Sequence, residues 1–527
     1  MKIPGIVFVL LLFCLPASAQ QLPCAVKFGE PFDAPKRSTL SDIIDHDASG
    51  FFAVKMRAKG FISRYASYTL DHYGKNMNPT GSIDLDIQEE GYDCYITEFL
   101  PLGGRLFVFY SYQNTKTKHH IEMVDEIDKK TLKTKRVQQV IGDIDYSGNS
   151  KRNSGSFSIR VSRDSSKVLL YFDLPDAQGD PEQLGFKVLD SNMTPVWEKT
   201  VTLPYKGGLY DVQALRVDNT GNVYMLGLAY KERRAEKRNG EPNYTYEAVA
   251  YTENGNRSKK YLISLPDKFI TDMQIEVQNN TLVCGGFYSE QGTYSIRGTY
   301  FLTVDAASGE VKTKSFKEFG IDFISQNLTE RQAKRAARRE EQGKDPEIYN
   351  YDLHRLLIGR DGSAVMIGEQ FFVRVSTQTT FINGSAQTRQ IYHYYYNDII
   401  AVKMDAEGQI LWAEKIAKAQ HSMNDGGFFA SYALALVNGK ICFIFNDNPD
   451  NLDYDGKGRP TNTILRKAAV VLVSLDKEGK QTKQPLFTSK DVEVMIRPKV
   501  CEQISNHEVI LFGQRGKHQQ FASVAFK

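Results

Sequence analysis

The sequence predicts an all-β protein, a β-propeller in which eight blades are favoured and seven are possible. Three observations lead to this fold class. The 527 residues include 28 Tyr and 30 Phe, and aromatic residues together with β-branched ones favour strands. An apolar strand that follows a turn recurs eight times, and a second kind of strand, which ends in Asp, recurs between the copies. Radial repetition of one such meander is what a propeller requires.

The first repeated element is a turn followed by a very apolar strand. Its eight copies lie at 47–56, 102–110, 163–172, 218–227, 278–286, 360–369, 437–445 and 505–513. Because apolar residues occupy both faces, we expect these strands to be covered on both sides. Two stacked β-sandwiches or a β-solenoid are the alternatives. A sandwich would not repeat one strand order eight times, and a solenoid rung is too short for this period.

The second repeated element is a strand that ends in Asp and leads into a turn. Its copies end at Asp71, Asp128, Asp190, Asp305, Asp405 and Asp476, with Thr252 as a degenerate seventh. We expect these positions to be hairpin tips on half-exposed strands. Trp197 and Trp412 each follow such an Asp by seven residues, so both Trp residues of the protein occupy one repeat position.

The two ends of the chain are expected to meet. The last repeat stops at 521–527, where the other repeats continue into a returning strand. Residues 22–30 precede the first full repeat and can supply that strand, which would close the ring and remove a free sheet edge. Residues 20–527 are therefore interpreted as a single propeller domain.

Residues 1–19 are interpreted as a secretory signal peptide. They contain Lys2, an apolar run from Ile6 to Leu15 and a small-x-small cleavage site at 17–19. The apolar run has about ten residues, too few to span a bilayer of ~30 Å. We expect an exported protein, periplasmic or extracellular or associated with the outer membrane, with no transmembrane segment after signal removal.

Five cysteines remain after the predicted cleavage: Cys24, Cys94, Cys284, Cys442 and Cys501. None is spaced as CxxC, so the sequence indicates neither a zinc site nor a redox motif. Buried thiols are the favoured interpretation. If a disulfide forms, a Cys24–Cys501 pair is favoured because it would join the two chain ends.

One stretch of the chain supports a resemblance to known proteins. The segments YYYNDIIAVKMDAEGQILWAEKI (394–416) and NDGGFFASYALALVNGKICFIFNDN (424–448), with the signal ending ASAQ, resemble exported β-propeller-like proteins of unknown function from Bacteroidetes-type bacteria. The resemblance covers the second half of the chain best. It implies an exported propeller, but it assigns no activity and no catalytic residues.

A charged helix is predicted to interrupt the repeat at residues 325–346. Thr329 and Gln332 are spaced as a capping box. Arg331, Arg335 and Arg338 share one helix face and are candidate binding residues for an anionic surface such as an acidic glycan, lipopolysaccharide or a partner protein. A solvated helix with no ligand is the alternative. A second basic insertion, KERRAEKR, is expected in a hairpin at 231–238.

The loop after the seventh apolar strand contains a partial calcium motif. Asn451, Asp453 and Asp455 alternate as the oxygen ligands of a calcium loop do, and a Gly follows at the sixth position. The twelfth position is Asn462 rather than Glu, but Asp447 is close enough in sequence to act as a further ligand. A weak Ca²⁺ site is one interpretation, and an Asp-rich turn without metal is the other. No other cofactor is expected.

The function class is predicted from what the sequence contains and lacks. There is no HExxH, G-x-S-x-G or P-loop motif, so catalytic residues stay unassigned. A formal charge of +3 argues against a nucleic-acid partner. The run His393 to Tyr396 offers rings for sugar stacking, although aromatic residues in strands more often pack against neighbouring side chains.

We expect an exported non-catalytic binding or scaffolding propeller of the cell envelope, for a glycan, peptide or partner protein. The alternative is a glycan-active hydrolase or lyase whose carboxylates converge in the central channel.

Overall fold

The computed structural model of the chain describes residues 21–527, except 36–37, 59–65, 86, 90, 151, 176–180, 233, 236, 239, 266–267, 291, 293–294, 307, 343–345, 383–384, 489 and 493. The signal peptide predicted at 1–19 lies outside the described residues.

The first half of the described chain forms four antiparallel sheets of four strands, each following the last in chain order. Two short strands come before them, β1 (Cys24–Phe28) and β2 (Phe32–Asp33). The first sheet contains β3 (Ser38–Asp47), β4 (Gly50–Ala58), β5 (Ala66–Gly74) and β6 (Pro79–Leu85), and the short strands β7 (Gln88–Glu89) and β8 (Tyr92–Asp93) follow it. The second contains β9 (Tyr95–Leu102), β10 (Arg105–Asn114), β11 (His119–Ile127) and β12 (Gln139–Asp145). The third contains β13 (Ser156–Val161), β14 (Lys167–Asp173), β15 (Pro181–Asp190) and β16 (Pro195–Lys206). The fourth contains β17 (Tyr210–Val217), β18 (Val223–Tyr230), β21 (Tyr244–Thr252) and β22 (Arg257–Ile263), and its middle hairpin includes β19 (Lys237–Arg238) and β20 (Glu241–Pro242).

The second half adds four more sheets and the helices. The fifth sheet contains β23 (Phe269–Gln278), β24 (Thr281–Ser289), β26 (Gly298–Asp305) and β27 (Val311–Glu318), while β25 (Ser295–Ile296) pairs with β28 (Ile348–Tyr349). Helices α1 (Ile321–Ser325) and α2 (Glu330–Glu341) separate it from the sixth sheet. The sixth contains β29 (Tyr351–Ile358), β30 (Ala364–Ile382), β31 (Ser385–Met404), β32 (Ile410–Ile416) and β33 (Gln420–Met423). The seventh contains β34 (Ala433–Val437), β35 (Lys440–Asp447), β36 (Ala469–Leu475) and β37 (Gln481–Thr488). The eighth contains β38 (Met495–Ile496), β39 (Glu502–Ser505), β40 (Glu508–Arg515) and β41 (His518–Phe526) together with β1 and β2. Short 3-10 helices occur at Pro449–Asp453, Leu465–Lys467 and Pro498–Val500.

The predicted all-β, propeller-type fold is confirmed by this succession of antiparallel meanders. Each of the eight apolar strands found in the sequence is the second strand of a sheet, as in β14 and β35. The third strands are also buried, which differs from the half-exposed character predicted for them. All seven residues of β36 are buried. The alternating pattern belongs instead to fourth strands such as β27, because these form the outer edge of each sheet.

One of the Asp-ended strands also differs from the prediction. Asp71 lies inside β5, which continues to Gly74, so it is not a hairpin tip. Its carboxylate is buried and lies 2.7 Å from Lys55 Nζ on the neighbouring strand. Ser82 donates a second hydrogen bond of 2.6 Å to it. The charge is therefore neutralised within the sheet, which permits an Asp at a strand interior position.

The hydrophobic core is divided among the junctions between successive sheets. One cluster joins Leu226 of the fourth sheet to Ile275 of the fifth, for example. Another joins the first sheet to the eighth, where the ring centroids of Phe51 and Phe521 are 5.0 Å apart. Every sheet thus contributes apolar side chains to two junctions, and the first and last sheets share one.

Each of the two Trp residues forms a hydrogen bond across one of these junctions. Trp197 on β16 donates from Nε1 to the carbonyl oxygen of Gly221 in the fourth sheet at 2.9 Å. Trp412 on β32 donates to the carbonyl oxygen of Lys477 in the seventh sheet at 3.0 Å. Their shared position in the sequence repeat therefore corresponds to a shared contact with the next sheet.

The N-terminal strand completes the last sheet, as predicted. β1 pairs antiparallel with β41 in a register that places Cys24 opposite Phe526 and Phe28 opposite Ala522. β41 would otherwise be an edge strand with unpaired backbone groups. The pairing joins the two ends of the chain without a covalent bond.

The cysteines do not form the Cys24–Cys501 disulfide considered from the sequence. All five cysteines of the described chain are free thiols. The Cys501 thiol is buried and donates to the carbonyl oxygen of Arg497 at 3.3 Å. Cys24 Sγ instead lies 3.3 Å from Gln484 Nε2.

Among the described residues, we find no helix whose length and apolar character would let it cross a membrane.

Candidate functional site

A cavity of about 530 Å³ lies between helix α2 and the sixth sheet. One face of α2 and residues 346–351 form two of its walls. The other walls are the neighbouring parts of β30 and β31, the end of β32 with Lys418, and the loop residues 459–460. Five sheet and loop segments that are distant in sequence therefore converge on one space.

Charged side chains line this cavity unevenly. Among the described residues, six cations but two carboxylates face it. The cations are Arg335, Arg339, Arg374, Lys415, Lys418 and Arg459, and the carboxylates are Glu347 and Asp398. Five side-chain amides and three aromatic rings complete the polar and apolar wall. An excess of positive charge in a partly enclosed space favours an anionic ligand.

Two of the six cations already have partners. Lys418 Nζ lies 2.7 Å from Glu369 Oε1, and neither side chain is exposed. Lys415 Nζ donates to the carbonyl oxygen of Phe323 at 2.8 Å and lies 4.9 Å from the centre of its ring. These two lysines therefore stabilise the wall of the cavity.

The four arginines of the cavity differ from these two lysines, because none of them forms an ion pair with a described residue. They are Arg335, Arg339, Arg374 and Arg459. A planar guanidinium group donates two parallel hydrogen bonds to a carboxylate, sulfate or phosphate. The arginines are therefore the side chains of this wall that remain available to a ligand.

Three buried polar atoms of cavity-lining residues lack a hydrogen-bond partner among the described residues. Asn327 Nδ2 and Arg339 Nε are donors without an acceptor, and Asn397 Oδ1 is an acceptor without a donor. The amide nitrogen of Asn397 donates to Gln370 Oε1 at 3.1 Å, which fixes the orientation of the side chain. Buried polar groups are nearly always paired in folded proteins. A ligand that offers both an anionic oxygen and a hydroxyl group would supply acceptors for the two donors and a donor for Asn397 Oδ1.

The ionisable pair Asp398 and Lys415 has shifted pKa values. Burial raises the pKa of Asp398 to about 6. Burial lowers the pKa of Lys415 to about 8, although the nearby charge of Asp398 opposes that shift. Groups that titrate close to neutral pH suit general acid and base chemistry.

Helix α2 is positioned as its sequence predicts. The side chain of Thr329 accepts from the backbone of Gln332, and the Gln332 side chain accepts in return, which forms the predicted capping box. The structure brings Arg331, Arg335 and Arg338 together around a depression on an exposed face of the helix. Arg335 also lines the cavity, whereas Arg331 and Arg338 lie outside it. Binding by these two outer arginines stays a prediction. Arg339, which the sequence does not distinguish from the other charges of the helix, lines the cavity as well.

The partial calcium motif has a different role in this structure. The buried amide of Asn451 donates to Asp447 Oδ1 at 2.7 Å and to the carbonyl oxygen of Thr461 at 2.8 Å, and its oxygen accepts from the backbone of Thr461 at 2.8 Å. Lys483 Nζ lies 2.6 Å from Asp447 Oδ2. This network fixes both ends of the loop that places Arg459 at the cavity.

The remaining residues of the motif do not converge on the same point. Asp453 and Asp455 are exposed, and Asp455 accepts from the backbone of Lys457 at 2.9 Å. Across the described ranges, no group of three or more His, Cys, Asp or Glu side chains could hold a metal ion. Calcium binding at Asp447, Asn451, Asp453 and Asp455, one of the two interpretations of the motif, would require Lys483 to leave Asp447.

A second charged cluster lies on β3, β9 and β39 of the first, second and eighth sheets. Burial raises the pKa of Asp42, of Glu98 and of Glu502, the last to about 7. The charge of Asp42 adds to the shift of both glutamates. Arg160 acts on Glu98, and Arg355 acts on Glu502, in the opposite direction. We call Asp42, Glu98 and Glu502 the axial carboxylates.

The second basic insertion lies in the middle hairpin of the fourth sheet, as expected. Arg238 forms an ion pair with Glu232, and Arg234 donates to the carbonyl oxygen of Gly208 at 2.8 Å. These two basic residues therefore bind other groups of the protein surface. They lie in a different sheet from the cavity.

Most of the residues that form the site carry no signal in the sequence. Arg374 and Asp398 lie in regular strands, where no local motif distinguishes them. Arg459 is in the loop that was selected for its acidic residues, so a count of all charges in that loop would have indicated it. Arg339 lies one turn after Arg335 on α2, and only the direction in which the helix packs separates it from Arg338.

Comparisons with known proteins show a distant likeness of fold. No protein-family model matches the chain, and no curated protein sequence matches it. A polysaccharide lyase structure is 10% identical over 95% of this chain and 99% of its own length, with a TM-score of 0.37. A protein of unknown function from Bacteroides caccae is 9% identical over 67% of this chain and 91% of its own, with a TM-score of 0.26. A prolyl oligopeptidase B from Galerina marginata is 9% identical over 92% of this chain and 56% of its own, with a TM-score of 0.39. None of these likenesses assigns a function to this chain.

Proposed function

We propose that the protein binds an acidic glycan and holds an anionic group of one sugar in the cavity beneath α2. The observation that supports this most directly is the set of four arginines without ion-pair partners around one space: Arg335, Arg339, Arg374 and Arg459. Their guanidinium groups match the geometry of carboxylate and sulfate oxygens. The unpartnered Nε of Arg339 would gain its acceptor from such a group.

The rest of the wall favours a sugar over other anionic ligands. Five amide side chains can donate hydrogen bonds to hydroxyl groups or accept hydrogen bonds from them, and the carboxylates of Glu347 and Asp398 can accept hydrogen bonds. Asn397 Oδ1 specifically requires a donor, which a hydroxyl supplies and a phosphodiester backbone does not. Two carboxylates in the wall would also repel closely spaced phosphates, and the total charge of +3 gives nucleic acid no long-range attraction.

The setting proposed for this binding is the cell envelope. The pattern of residues 1–19 supports export, and the resemblance of residues 394–448 to exported Bacteroidetes-type proteins agrees with it. In this proposal the protein is a binding or scaffolding component.

We also infer that the eight sheets are the blades of a closed ring. The hydrophobic cluster shared by the first and eighth sheets supports this, as does the pairing of β1 with β41. A ring of this kind would place the innermost strands around a central channel and leave no free sheet edge at the closing blade.

The proposed binding is tested by calorimetric titration with defined acidic and neutral glycans. Oligogalacturonate and chondroitin sulfate are the acidic probes, and dextran is the neutral one. We expect Arg339→Gln and Arg459→Gln each to weaken binding of the acidic probes by roughly tenfold to a hundredfold, the range for a hydrogen bond to a charged group. Arg331→Gln is the matched control, because Arg331 lies on the same helix but outside the cavity.

The control variant decides between the cavity and general electrostatic attraction. Equal losses for Arg331→Gln and Arg339→Gln would show that the net charge of the helix attracts the glycan and that the cavity is not the site. Equal affinity of the unmodified protein for dextran and for the acidic probes would overturn the proposal as a whole.

Glycan cleavage is the second candidate function. Asp398 with a pKa of about 6 and Lys415 with a pKa of about 8 face the cavity, and the axial carboxylate Glu502 has a pKa of about 7. Each is suited to proton transfer near neutral pH. An assay for new reducing ends, run beside an absorbance assay for unsaturated uronate products, tests hydrolysis and elimination together. Cleavage that Asp398→Asn abolishes without loss of binding would establish an enzyme at the cavity, and cleavage that Glu502→Gln abolishes would place it at the axial carboxylates.

A further inference from the structure

The middle hairpin of the sixth sheet extends far beyond that sheet. β30 has 19 residues and β31 has 20, whereas their neighbours β29 and β32 have 8 and 7. From residue 371 to residue 396 the two strands pair mainly with each other, and β33 pairs with the last four of these positions. We call this segment, 371–396, the ribbon. An isolated two-stranded ribbon is marginally stable in water. A ligand bound along its surface would therefore stabilise the folded ribbon.

One face of the ribbon presents a row of stacked rings. The ring centroids of Phe372 and Tyr395 are 4.7 Å apart, with planes at 16°. Tyr395 stacks in turn on His421 of β33 at 4.6 Å and 19°. His421 stacks on His393 at 5.3 Å and 8°. We call these four residues the ring strip.

The ring strip begins at the mouth of the cavity. Phe372 and Arg374 both line the cavity wall. The guanidinium carbon of Arg374 lies 5.2 Å from the centre of the Phe372 ring and 5.7 Å from that of Tyr395. A ligand that occupies the cavity can therefore continue onto the ring strip without crossing an intervening element.

The charge of the ribbon is complementary to an acidic ligand. The sequence from 371 to 396 includes Arg374 and Arg389 but no Asp and no Glu. The exposed strand residues between them are neutral and mostly Ser, Thr and Gln. An extended polyanion would meet positive or neutral groups along the whole segment.

We propose that the ligand is a polymeric acidic glycan, which places one sugar in the cavity and the following sugars along the ring strip. This inference rests on the proposed function and specifies the length of the ligand. Because the four rings stack face to face, the strip presents their edges. Ring edges carry partial positive charge and attract the carboxylate and hydroxyl oxygens of the sugars, and Arg374 contacts the anionic group of the sugar nearest the cavity. The run His393 to Tyr396, selected from the sequence as a possible sugar platform, contributes His393 and Tyr395 to this surface.

The experiment measures affinity as a function of chain length. Galacturonate monomer, trimer, hexamer and polymer are titrated into the unmodified protein and into Tyr395→Ala/His421→Ala. The matched control is Val375→Thr/Tyr392→Ala, since Val375 and Tyr392 face each other across the two strands and lie on the opposite face of the ribbon. His421→Gln alone is the milder variant, used if the double variant does not fold.

We expect the affinity of the unmodified protein and of the control to rise with chain length. The ring-strip variant should bind monomer normally, should bind the trimer several-fold more weakly and should lose at least tenfold in affinity for the hexamer. An equal gain with length in the ring-strip variant and the unmodified protein would overturn the inference, because the longer chain would then run elsewhere. Absence of any length effect in the unmodified protein would overturn it as well.

These outcomes separate the two proposals. If neither short nor long galacturonates bind, the proposed function itself fails. If short fragments bind and length adds nothing, only the ring-strip inference fails. Polyuridylate is a further probe, and tight binding of it that depends on the ring strip, with none of galacturonate, would show that the polymer is a nucleic acid.

Discussion

Lys483 Nζ lies 2.6 Å from Asp447 Oδ2, and the Asp447 side chain has no solvent exposure. The same ammonium group donates to the carbonyl oxygen of Asn451 at 3.0 Å. This pair joins the outer strand of the seventh sheet to the loop that places Arg459 at the cavity. A buried carboxylate without its partner is strongly unfavourable, so the pair gives the first prediction.

Lys483→Met is expected to destabilise the protein by roughly 3–5 kcal/mol, the usual effect of removing one partner of a buried pair. Asp447→Asn combined with Lys483→Met removes both charges and should recover most of that loss. Chemical denaturation of the three proteins measures the free energies of unfolding. Lys483→Met as stable as the unmodified protein would show that the hydrogen bonds from Asn448 and Asn451 stabilise Asp447 without the lysine.

Calcium is expected to leave the thermal unfolding midpoint of the protein unchanged. The ammonium group of Lys483 already neutralises Asp447, and the amide of Asn451 is fully used in protein hydrogen bonds. The comparison is thermal unfolding in EDTA against millimolar Ca²⁺. Stabilisation by Ca²⁺ that disappears in Asp453→Ala/Asp455→Ala would instead establish the calcium site proposed from the sequence.

Asn451→Ala is expected to weaken glycan binding although Asn451 does not line the cavity. The substitution removes three hydrogen bonds that fix the loop bearing Arg459. We predict an affinity loss of several-fold and faster proteolysis within 447–461. Asp453→Ala is the matched control in the same loop, because its side chain is exposed. Equal behaviour of the two variants would mean that the loop is held by other contacts.

Stability is expected to fall with rising pH because of Glu122. This side chain is fully buried in the second sheet, accepts from Thr97 Oγ1 at 3.1 Å, and has a pKa raised by burial from 4.5 to about 8. Between these two values the folded state binds more protons than the unfolded state, so the free energy of unfolding decreases as pH rises. This group contributes a slope of at most about 1.4 kcal/mol per pH unit.

Glu122→Gln should remove that contribution and retain an acceptor for Thr97. Urea denaturation at a series of pH values from 5 to 8 measures the slopes for both proteins. Parallel slopes would show that Glu122 is ionised in the folded protein.

Removal of residues 20–30 is expected to lower the melting temperature sharply and to promote association. The deletion exposes β41, whose backbone groups pair with β1 in the intact chain. Lys27→Ala, which retains the strand and removes one exposed side chain, is the control. A melting temperature and an oligomeric state unchanged by the deletion would show that β1 does not stabilise the last sheet.

The repeat could be predicted from the sequence because each second strand is buried on both faces. Strands such as β14 therefore appear as uninterrupted apolar runs at a regular spacing. The burial of the third strands could not be predicted from their alternation of polar and apolar residues, which is typical of half-exposed strands. The carboxylate of Asp71, on the third strand of the first sheet, pairs with Lys55 of the second strand inside the sheet. That pairing depends on strand register, which is not visible in a local pattern.

The candidate site was only partly predictable, for a similar reason. Helix α2 was found from its cap, which involves residues three positions apart. The face of α2 that meets the cavity depends on contacts with segments distant in sequence, such as the bond from Lys415 to Phe323 that holds the preceding helix. Arg339 and Arg374 therefore become neighbours of one cavity only in the folded chain.

The positions of the two Trp residues allow their fluorescence to report on two junctions between sheets. Trp197 reports on the junction of the third and fourth sheets, and Trp412 reports on the junction of the sixth and seventh. Both indoles are largely shielded from water, so separation of either junction would shift the emission to longer wavelength. Replacement of Trp197 by Phe leaves a single Trp, which lies in the sheet that contains the ribbon and part of the cavity wall. Local opening at that sheet can then be distinguished from unfolding of the whole chain, without an attached dye.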